Sequence, residues 1–296
     1  MSLRAKYREG LYDSEHKPRL KFARTYFLEF SIDKDLNFEK LEQFYRDWRD
    51  YDEYLVLQKQ IDSLRVLGEV KKQTFAIKCS KRGNDVYWWR VNKRLRFLND
   101  LKSVTLFDPH GNMKSSNVLF VSLTYDTKRS TVQEAWETVG EEFNKWIRNL
   151  WKKYGRISYL RVWESTDKGY PHIHALMFFH DYQFRIETSQ WKRTKYGSYR
   201  QVYRIAEKEE FEKSYHSFVD VEAVRKMRGG ISYITKYLRK SGHPLQTLTL
   251  ALCWLFRKRS FAVSGDFQDI IARFLVNPRH IFIQIDLFGS TLQTVR

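Results

Sequence analysis

Hydrophobic and polar residues in the first third of the chain follow two different spacings. Between residues 38 and 62, aromatic and aliphatic residues recur about every 3.6 positions, which predicts a helix or a pair of helices. Residues 73–79 and 85–91 are short β-rich runs on either side of the turn-forming stretch Lys81 to Asn84. They predict two short strands.

A dense cluster of turn-forming residues, Asp108 to Ser116, separates this part of the chain from the rest. We expect the domain boundary there. The sequence thus predicts a smaller N-terminal α/β region, residues 1–112, to which no role can be assigned. A catalytic domain with a C-terminal helical extension is expected over residues 113–296.

Beyond residue 116, β-rich runs alternate with segments of helical periodicity. Four strands are predicted at residues 118–124, 157–163, 172–179 and 218–224, three helices at 131–154, 206–215 and 231–240, and a projecting hairpin at 184–204. This order predicts an α+β fold, in which a central, mainly antiparallel sheet is flanked by helices.

Charge is the first indication of a partner. The chain has 53 Lys and Arg against 35 Asp and Glu, a net charge of +18. An excess of this size favours a polyanionic partner, and we expect nucleic acid rather than a membrane because no basic amphipathic helix is evident. The two cysteines argue against a disulfide framework, and the apolar runs are too short to span a bilayer, so an intracellular, cytoplasmic protein is expected.

Two histidines stand in an otherwise apolar predicted strand. His172 and His174 are two residues apart, so both imidazoles point to one face of the strand. Glu164 ends the preceding strand, across a short turn that contains glycine, and a hairpin of that length brings its carboxylate near the histidines. Two imidazoles and one carboxylate predict a site for a divalent metal ion with open coordination positions.

A second unusual pattern lies in the predicted helix over residues 231–240. Tyr233, Lys236, Tyr237 and Lys240 fall on one face, so two phenols and two ammonium groups form a stripe where aliphatic residues would be usual. A phenol is a poor nucleophile at its ordinary pKa near ~10, and it needs nearby positive charge or a metal-activated target. The neighbouring lysines would supply the positive charge, and the predicted metal site would activate the target. Tyrosines that simply pack on the sheet would, however, give the same pattern.

Three motifs together resemble the HUH endonucleases, and specifically their two-tyrosine rolling-circle replication initiators from plasmids and viruses. The strand PHIHALMFF (residues 171–179) resembles the family's metal-binding motif, and YITKYLRK (233–240) resembles its catalytic helix. LFVSLTYD (119–126) is similar to the opening strand of the HUH, ferredoxin-like catalytic domain. The resemblance covers about residues 116 to 245, with the motifs in the family's order.

The resemblance implies an enzyme that nicks and rejoins single-stranded DNA at a replication origin, which can be a stem-loop, alongside host replication proteins. His172, His174 and Glu164 would hold Mg²⁺ or Mn²⁺. Tyr233 and Tyr237 would be the nucleophile pair that forms a 5′-phosphotyrosine, with Lys236 giving electrostatic help. The sequence does not indicate which tyrosine attacks first.

The predicted hairpin interleaves aromatic and basic side chains, an arrangement suited to stacked bases and phosphates of a single strand. The residues expected to bind DNA are Trp191, Lys192, Arg193, Lys195, Tyr199, Arg200 and Lys240. An equally weighted alternative is that the aromatic residues of the hairpin cover the sheet.

Two other functions fit the same motifs. A two-tyrosine HUH transposase shares the chemistry, but such proteins commonly add a Cys-rich module or a helicase, and neither is evident in this sequence. A non-catalytic origin-binding protein of the same fold would keep the DNA surface without nicking.

Overall fold

The computed structural model describes residues 37–52, 54–66, 69–102, 104–107, 114–193, 197–239, 244–265, 267, 282–287 and 290–291. The chain divides into two compact units, residues 1–93 and 94–296.

In its described residues, the first unit contains two helices and a hairpin. Its elements are α1 (Phe38–Asp50), β1 (Tyr54–Val66), β2 (Glu69–Lys78) and α2 (Asp85–Arg94). The side chain of Asn37 caps α1 by accepting a hydrogen bond from the backbone N–H of Lys40, and α1 buries Leu41 and Tyr45. Strands β1 and β2 pair in antiparallel fashion.

Two predictions for this unit were wrong. The helix predicted over residues 38–62 ends at Asp50, and the chain from Tyr54 is a strand. Residues 85–91, predicted as a strand, lie in α2. Asn84 caps that helix, since its Oδ1 accepts a hydrogen bond from the backbone N–H of Tyr87 at 2.9 Å. This cap favours the helix, whereas the β propensity of Val and Trp indicated a strand.

The second unit contains the sheet and the helices that cover it. Its elements are α3 (Leu98–Leu101), β3 (Val104–Phe107), β4 (Ser115–Ser116), β5 (Val118–Thr124), α4 (Val132–Tyr154), β6 (Ile157–Ser165), β7 (Pro171–Phe179), β8 (Phe184–Arg193), β9 (Tyr199–Ile205), α5 (Lys208–Lys213), β10 (Val219–Ala223), α6 (Met227–Arg239), α7 (Pro244–Leu255), β11 (Phe261–Val263), β12 (Phe282–Leu287) and β13 (Ser290–Thr291).

Eight of these strands form one sheet in the order β11-β6-β7-β5-β10-β9-β8-β4, and every pairing in it is antiparallel. The α+β fold with a mainly antiparallel sheet is therefore confirmed. So are the predicted strands and helices beyond residue 116, although α6 begins earlier than expected, at Met227. Strands β8 and β9 form the predicted hairpin, whose tip at residues 194–196 lies outside the described residues.

Helix α4 covers the central strands from one side. It begins with a capping box, in which the backbone N–H of Glu134 donates to Thr131 Oγ1 and Glu134 accepts from the backbone N–H of Thr131. Its buried face includes Trp136, Phe143 and Trp146. One part of the core of this unit thus lies between α4 and the sheet. Helix α6 also contacts β6 and β7, helix α7 contacts β6, and both helices bury aliphatic side chains.

The division between the two units falls before the turn-rich stretch Asp108 to Ser116, where the sequence predicted a boundary. Residues just after Lys93 pack within the second unit. The Phe97 ring contacts Phe267 with centroids 5.7 Å apart, and the Arg94 guanidinium lies 5.7 Å from the Phe261 ring centroid. No helix in the described ranges is long and apolar enough to cross a bilayer.

Candidate functional site

Two neighbouring strands bring the three predicted metal ligands together. Glu164 on β6 and His172 on β7 are register partners, and His174 follows two residues later on the same face of β7. One donor atom from each residue lies within 4.8 Å of the other two. Nε2 of His174 is 3.1 Å from Oε2 of Glu164. The cluster can therefore hold a metal ion.

The imidazoles also contact the strand on their other side, β5. Ser122 Oγ lies 2.9 Å from Nδ1 of His174, and Thr124 Oγ1 lies 3.2 Å from Nδ1 of His172. Each histidine thus has a hydroxyl partner at Nδ1. In His174 the other ring nitrogen, Nε2, is the one that faces Glu164.

Burial keeps His172 uncharged. Burial, with a smaller contribution from the nearby His174, lowers the pKa of this imidazole to about 4, and Glu164 opposes both effects. An imidazole with that pKa is neutral near pH 7 and keeps a lone pair for a metal ion. His174 is itself buried, with 3% of its surface exposed.

Helix α6 places Tyr233 beside the cluster. Its ring packs edge-on against His174, with centroids 5.6 Å apart, and against Phe120 at 4.9 Å. The side chain is 43% exposed, whereas Ile231 and Ile234, on the other face of the helix, are fully buried. The predicted division of this helix into an aliphatic buried side and a phenol-bearing side therefore holds at these residues.

A lysine and a glycine on the same helix also shape the environment of Tyr233. The Nζ of Lys236 lies 5.7 Å from the centroid of the Tyr233 ring, so a positive charge faces the phenol. A Cβ atom at Gly230 would approach Leu176 Cδ1 to 3.3 Å, so the glycine lets the first turn of α6 lie close to the sheet. Tyr237 belongs to the same helix, but its side chain lies outside the described residues, as does Lys240 altogether.

A cleft of about 530 Å³ runs from Tyr233 to the β8–β9 hairpin. Its walls are formed by α6 and by strands β5, β8, β9 and β10. Trp191 and Tyr199 line it near the hairpin and are 66% and 64% exposed, whereas Tyr203 is buried. The aromatic residues of the hairpin thus have two different environments. Tyr203 packs on the sheet, as in the alternative interpretation, whereas Trp191 and Tyr199 are exposed to solvent.

Basic residues of the hairpin differ in their surroundings. Lys192 and Arg193 are exposed. Arg200 makes two hydrogen bonds to Glu222, at 2.6 and 2.9 Å, so its guanidinium already has a carboxylate partner. Lys195 lies outside the described residues.

Sequence reasoning did not single out the acidic wall of the cleft. Asp220 and Glu222 on β10 are register partners of Ser122 and Phe120, so they lie on the same sheet face as the histidines. Nη1 of Arg204 donates a hydrogen bond to Oδ1 of Asp220 at 2.5 Å. The alternation of buried and polar residues in VDVEA (219–223) is the signal that could have indicated this face.

The fold and the site define an α+β protein that carries a candidate metal cluster beside an exposed tyrosine. Residues 118–242 match the family model described as replication-associated protein, ORF2 type. The match includes Glu164, both histidines of the cluster and α6 with both tyrosines, and it supports a replication initiator of the Rep type. No curated protein and no solved structure matches the chain significantly.

Proposed function

We propose that the protein is a rolling-circle replication initiator that nicks and rejoins single-stranded origin DNA through a 5′-phosphotyrosine intermediate. One observation carries the proposal: the Glu164, His172 and His174 donors and the Tyr233 phenol meet on one face of the sheet. A phosphate placed there would face both a metal ion and a nucleophile. The match to replication-associated proteins supports the same function.

The three donors suit a divalent cation. Carboxylates favour Mg²⁺ and Mn²⁺, whereas imidazoles favour softer ions, so the mixed set fits Mn²⁺ and, with more water ligands, Mg²⁺. Such an ion supplies a Lewis acid that polarises a phosphate oxygen. Glu164, His172 and His174 would hold the ion, and burial keeps His172 neutral and able to bind it.

Tyr233 or Tyr237 then attacks the scissile phosphorus in line. A bond forms between the phenolic oxygen and phosphorus, the bond from phosphorus to the 3′-oxygen breaks, and the phenol proton leaves to solvent while the 3′-oxygen gains one. The phosphodiester energy is conserved in the link, so rejoining needs no nucleotide cofactor. Lys236 stabilises the developing negative charge, because catalysis of phosphoryl transfer depends mainly on positioning and electrostatics.

The cleft gives the single strand a path to the tyrosine. Trp191 and Tyr199 offer exposed rings on which bases can stack, and Lys192 and Arg193 offer cations for phosphates. Arg200 serves this surface indirectly, since it is paired with Glu222 and braces β9 against β10.

The proposal is tested by trapping the covalent intermediate. The protein is incubated with Mn²⁺ and a pool of single-stranded oligonucleotides of random sequence, labelled at either the 3′ or the 5′ end. We expect an adduct that survives a denaturing gel only with the 3′ label, because the enzyme retains the 5′ phosphate. Label at the 5′ end should appear in a shortened free strand.

Tyrosine variants assign the nucleophile. Tyr233→Phe, Tyr237→Phe and the double variant are compared with Tyr182→Phe, whose phenol contacts Glu207 instead of the cluster. Loss of the adduct in the double variant alone, or in one single variant, supports the assignment. An adduct that persists in the double variant contradicts it, and DNA binding without any adduct in the native protein would favour a non-catalytic origin-binding protein.

A further inference from the structure

Two hydroxyl groups on β5 stand beside the two histidines in the same way. Ser122 and His174 are register partners across β5 and β7, and so are Thr124 and His172. In both pairs the hydroxyl oxygen contacts Nδ1 of the ring, at 2.9 and 3.2 Å respectively. The same contact therefore repeats at successive positions along one pair of strands.

We propose that Ser122 and Thr124 are positioning residues, which fix the tautomer and the ring orientation of His174 and His172 for a divalent metal ion. This inference rests on the proposed function, because it assigns a role within the same site. A neutral imidazole has one N–H and one lone pair. When Nδ1–H donates to a hydroxyl oxygen, the lone pair lies on Nε2, and Nε2 of His174 is the nitrogen that faces Glu164.

The pattern of β5 supports a role for the hydroxyls beyond packing. Val121 and Leu123 are fully buried on one face, while Ser122 and Thr124 alternate with them on the face of the histidines. A strand between two others would ordinarily carry apolar residues at such half-buried positions, because a poorly bonded hydroxyl costs free energy. Metal-binding histidines usually donate their second N–H to a fixed acceptor, and a hydroxyl can serve as one.

The test measures Mn²⁺ binding by isothermal titration calorimetry, without DNA. Ser122→Ala, Thr124→Val and the double variant are compared with the native protein. The double variant should bind Mn²⁺ about 10 to 100 times more weakly, the range typical when such partners are removed. Ser122→Thr and Thr124→Ser keep the hydroxyls and should stay near the native affinity, which also covers the case in which a hydroxyl-free variant does not fold.

Ser158→Ala is the matched control. Ser158 is a buried serine on β6 whose Oγ lies 2.7 Å from Nε2 of His180, a histidine outside the cluster. Its loss removes the same kind of contact but should leave Mn²⁺ affinity unchanged. Equal weakening in Ser158→Ala and Ser122→Ala would overturn the inference, since it would point to a general effect of serine removal on the sheet.

A second readout needs no metal. Imidazole ¹⁵N chemical shifts distinguish the two tautomers, and we expect Nδ1–H to lose population at His172 in Thr124→Val, which removes the hydroxyl beside Nδ1 of that ring. Native Mn²⁺ affinity and native tautomers in the double variant would overturn the inference and leave the proposed function standing. A native protein that binds no Mn²⁺ would overturn the metal site itself, and the positioning role with it.

Discussion

Strands β7 and β8 belong to the same sheet but have opposite environments. Along β7 every side chain except His172 is buried, whereas on β8 only Phe184 is buried and the residues from Glu187 onward are exposed. Packing on both faces fixes the side chains of β7 in one arrangement, while those of β8 can adjust to a ligand. Under the proposed function, the chemistry would take place where the sheet is rigid, and the DNA would be contacted where it is open.

The largest expected effect is the loss of stability when a buried side chain of β7 is truncated. Phe179 is fully buried and contacts Phe184 with ring centroids 4.6 Å apart. Phe179→Ala should lower the free energy of unfolding by about 3–5 kcal/mol, measured by urea denaturation. Trp191→Ala, on the exposed strand, should change it by no more than about 0.5 kcal/mol. Equal losses in the two variants would contradict the contrast between the strands.

Removing a metal ligand should be the next largest effect, this time on activity. His174→Ala takes away one imidazole and the Lewis acid it helps to hold, an interaction worth several kcal/mol, so adduct formation should fall at least about 100-fold. His180→Ala is the matched control, because His180 follows the same strand but contacts Ser158 and Arg156. Similar losses in both variants would indicate damage to the strand rather than to the site.

The exposed strand is tested through DNA affinity. Stacking of a base on an aromatic ring contributes about 1–3 kcal/mol, so Trp191→Ala should weaken binding of single-stranded DNA about 5- to 150-fold in fluorescence anisotropy. Trp151→Ala is the control, since Trp151 is 50% exposed on α4 and does not line the cleft. Unchanged affinity in Trp191→Ala would remove the hairpin from the proposed DNA path.

The smallest expected effect is on the pH dependence of stability. It tests whether burial alone sets the protonation of a histidine that lies outside the candidate metal site. Burial lowers the pKa of His216 below its ordinary 6.5, and Glu142 opposes the shift. At this group the unfolded chain then binds more protons than the folded one, so the contribution of His216 to stability should be largest above pH 6.5 and fall as the pH drops below that value. His216→Phe should reduce this slope between about pH 7.5 and 5.5 in urea titrations, and an unchanged slope would contradict the assignment.

Local patterns in the sequence were sufficient to predict the strands and helices between residues 118 and 239. The apolar run PHIHALMFF and the helical stripe around Tyr233 each depend on residues close in the chain, and both elements form, although α6 begins earlier than predicted. The proximity of Glu164 to His172 could also be predicted, because a short turn leaves few registers for the two strands.

The pairing of strands that are distant in the sequence could not be predicted from local patterns. Glu222 reaches Arg200 only because β10 lies beside β9, a neighbourhood that no local spacing encodes. In the first unit, Trp88 and Trp89 favoured a strand over the helix that the Asn84 cap begins. The capping hydrogen bond at the end of the segment favours the helix, and propensity averaged over the segment hid that signal.

The antiparallel register of β6, β7 and β5 has a consequence for how the protein would bind a divalent metal ion. Donors and hydroxyls sit on three separate strands, and a slip of one residue in any pair would turn one of them to the far side. An unfolded or mispaired chain therefore lacks the assembled cluster of three donors. If the cluster binds a divalent ion, that ion should bind the correctly paired sheet and raise the midpoint of thermal unfolding as its concentration rises.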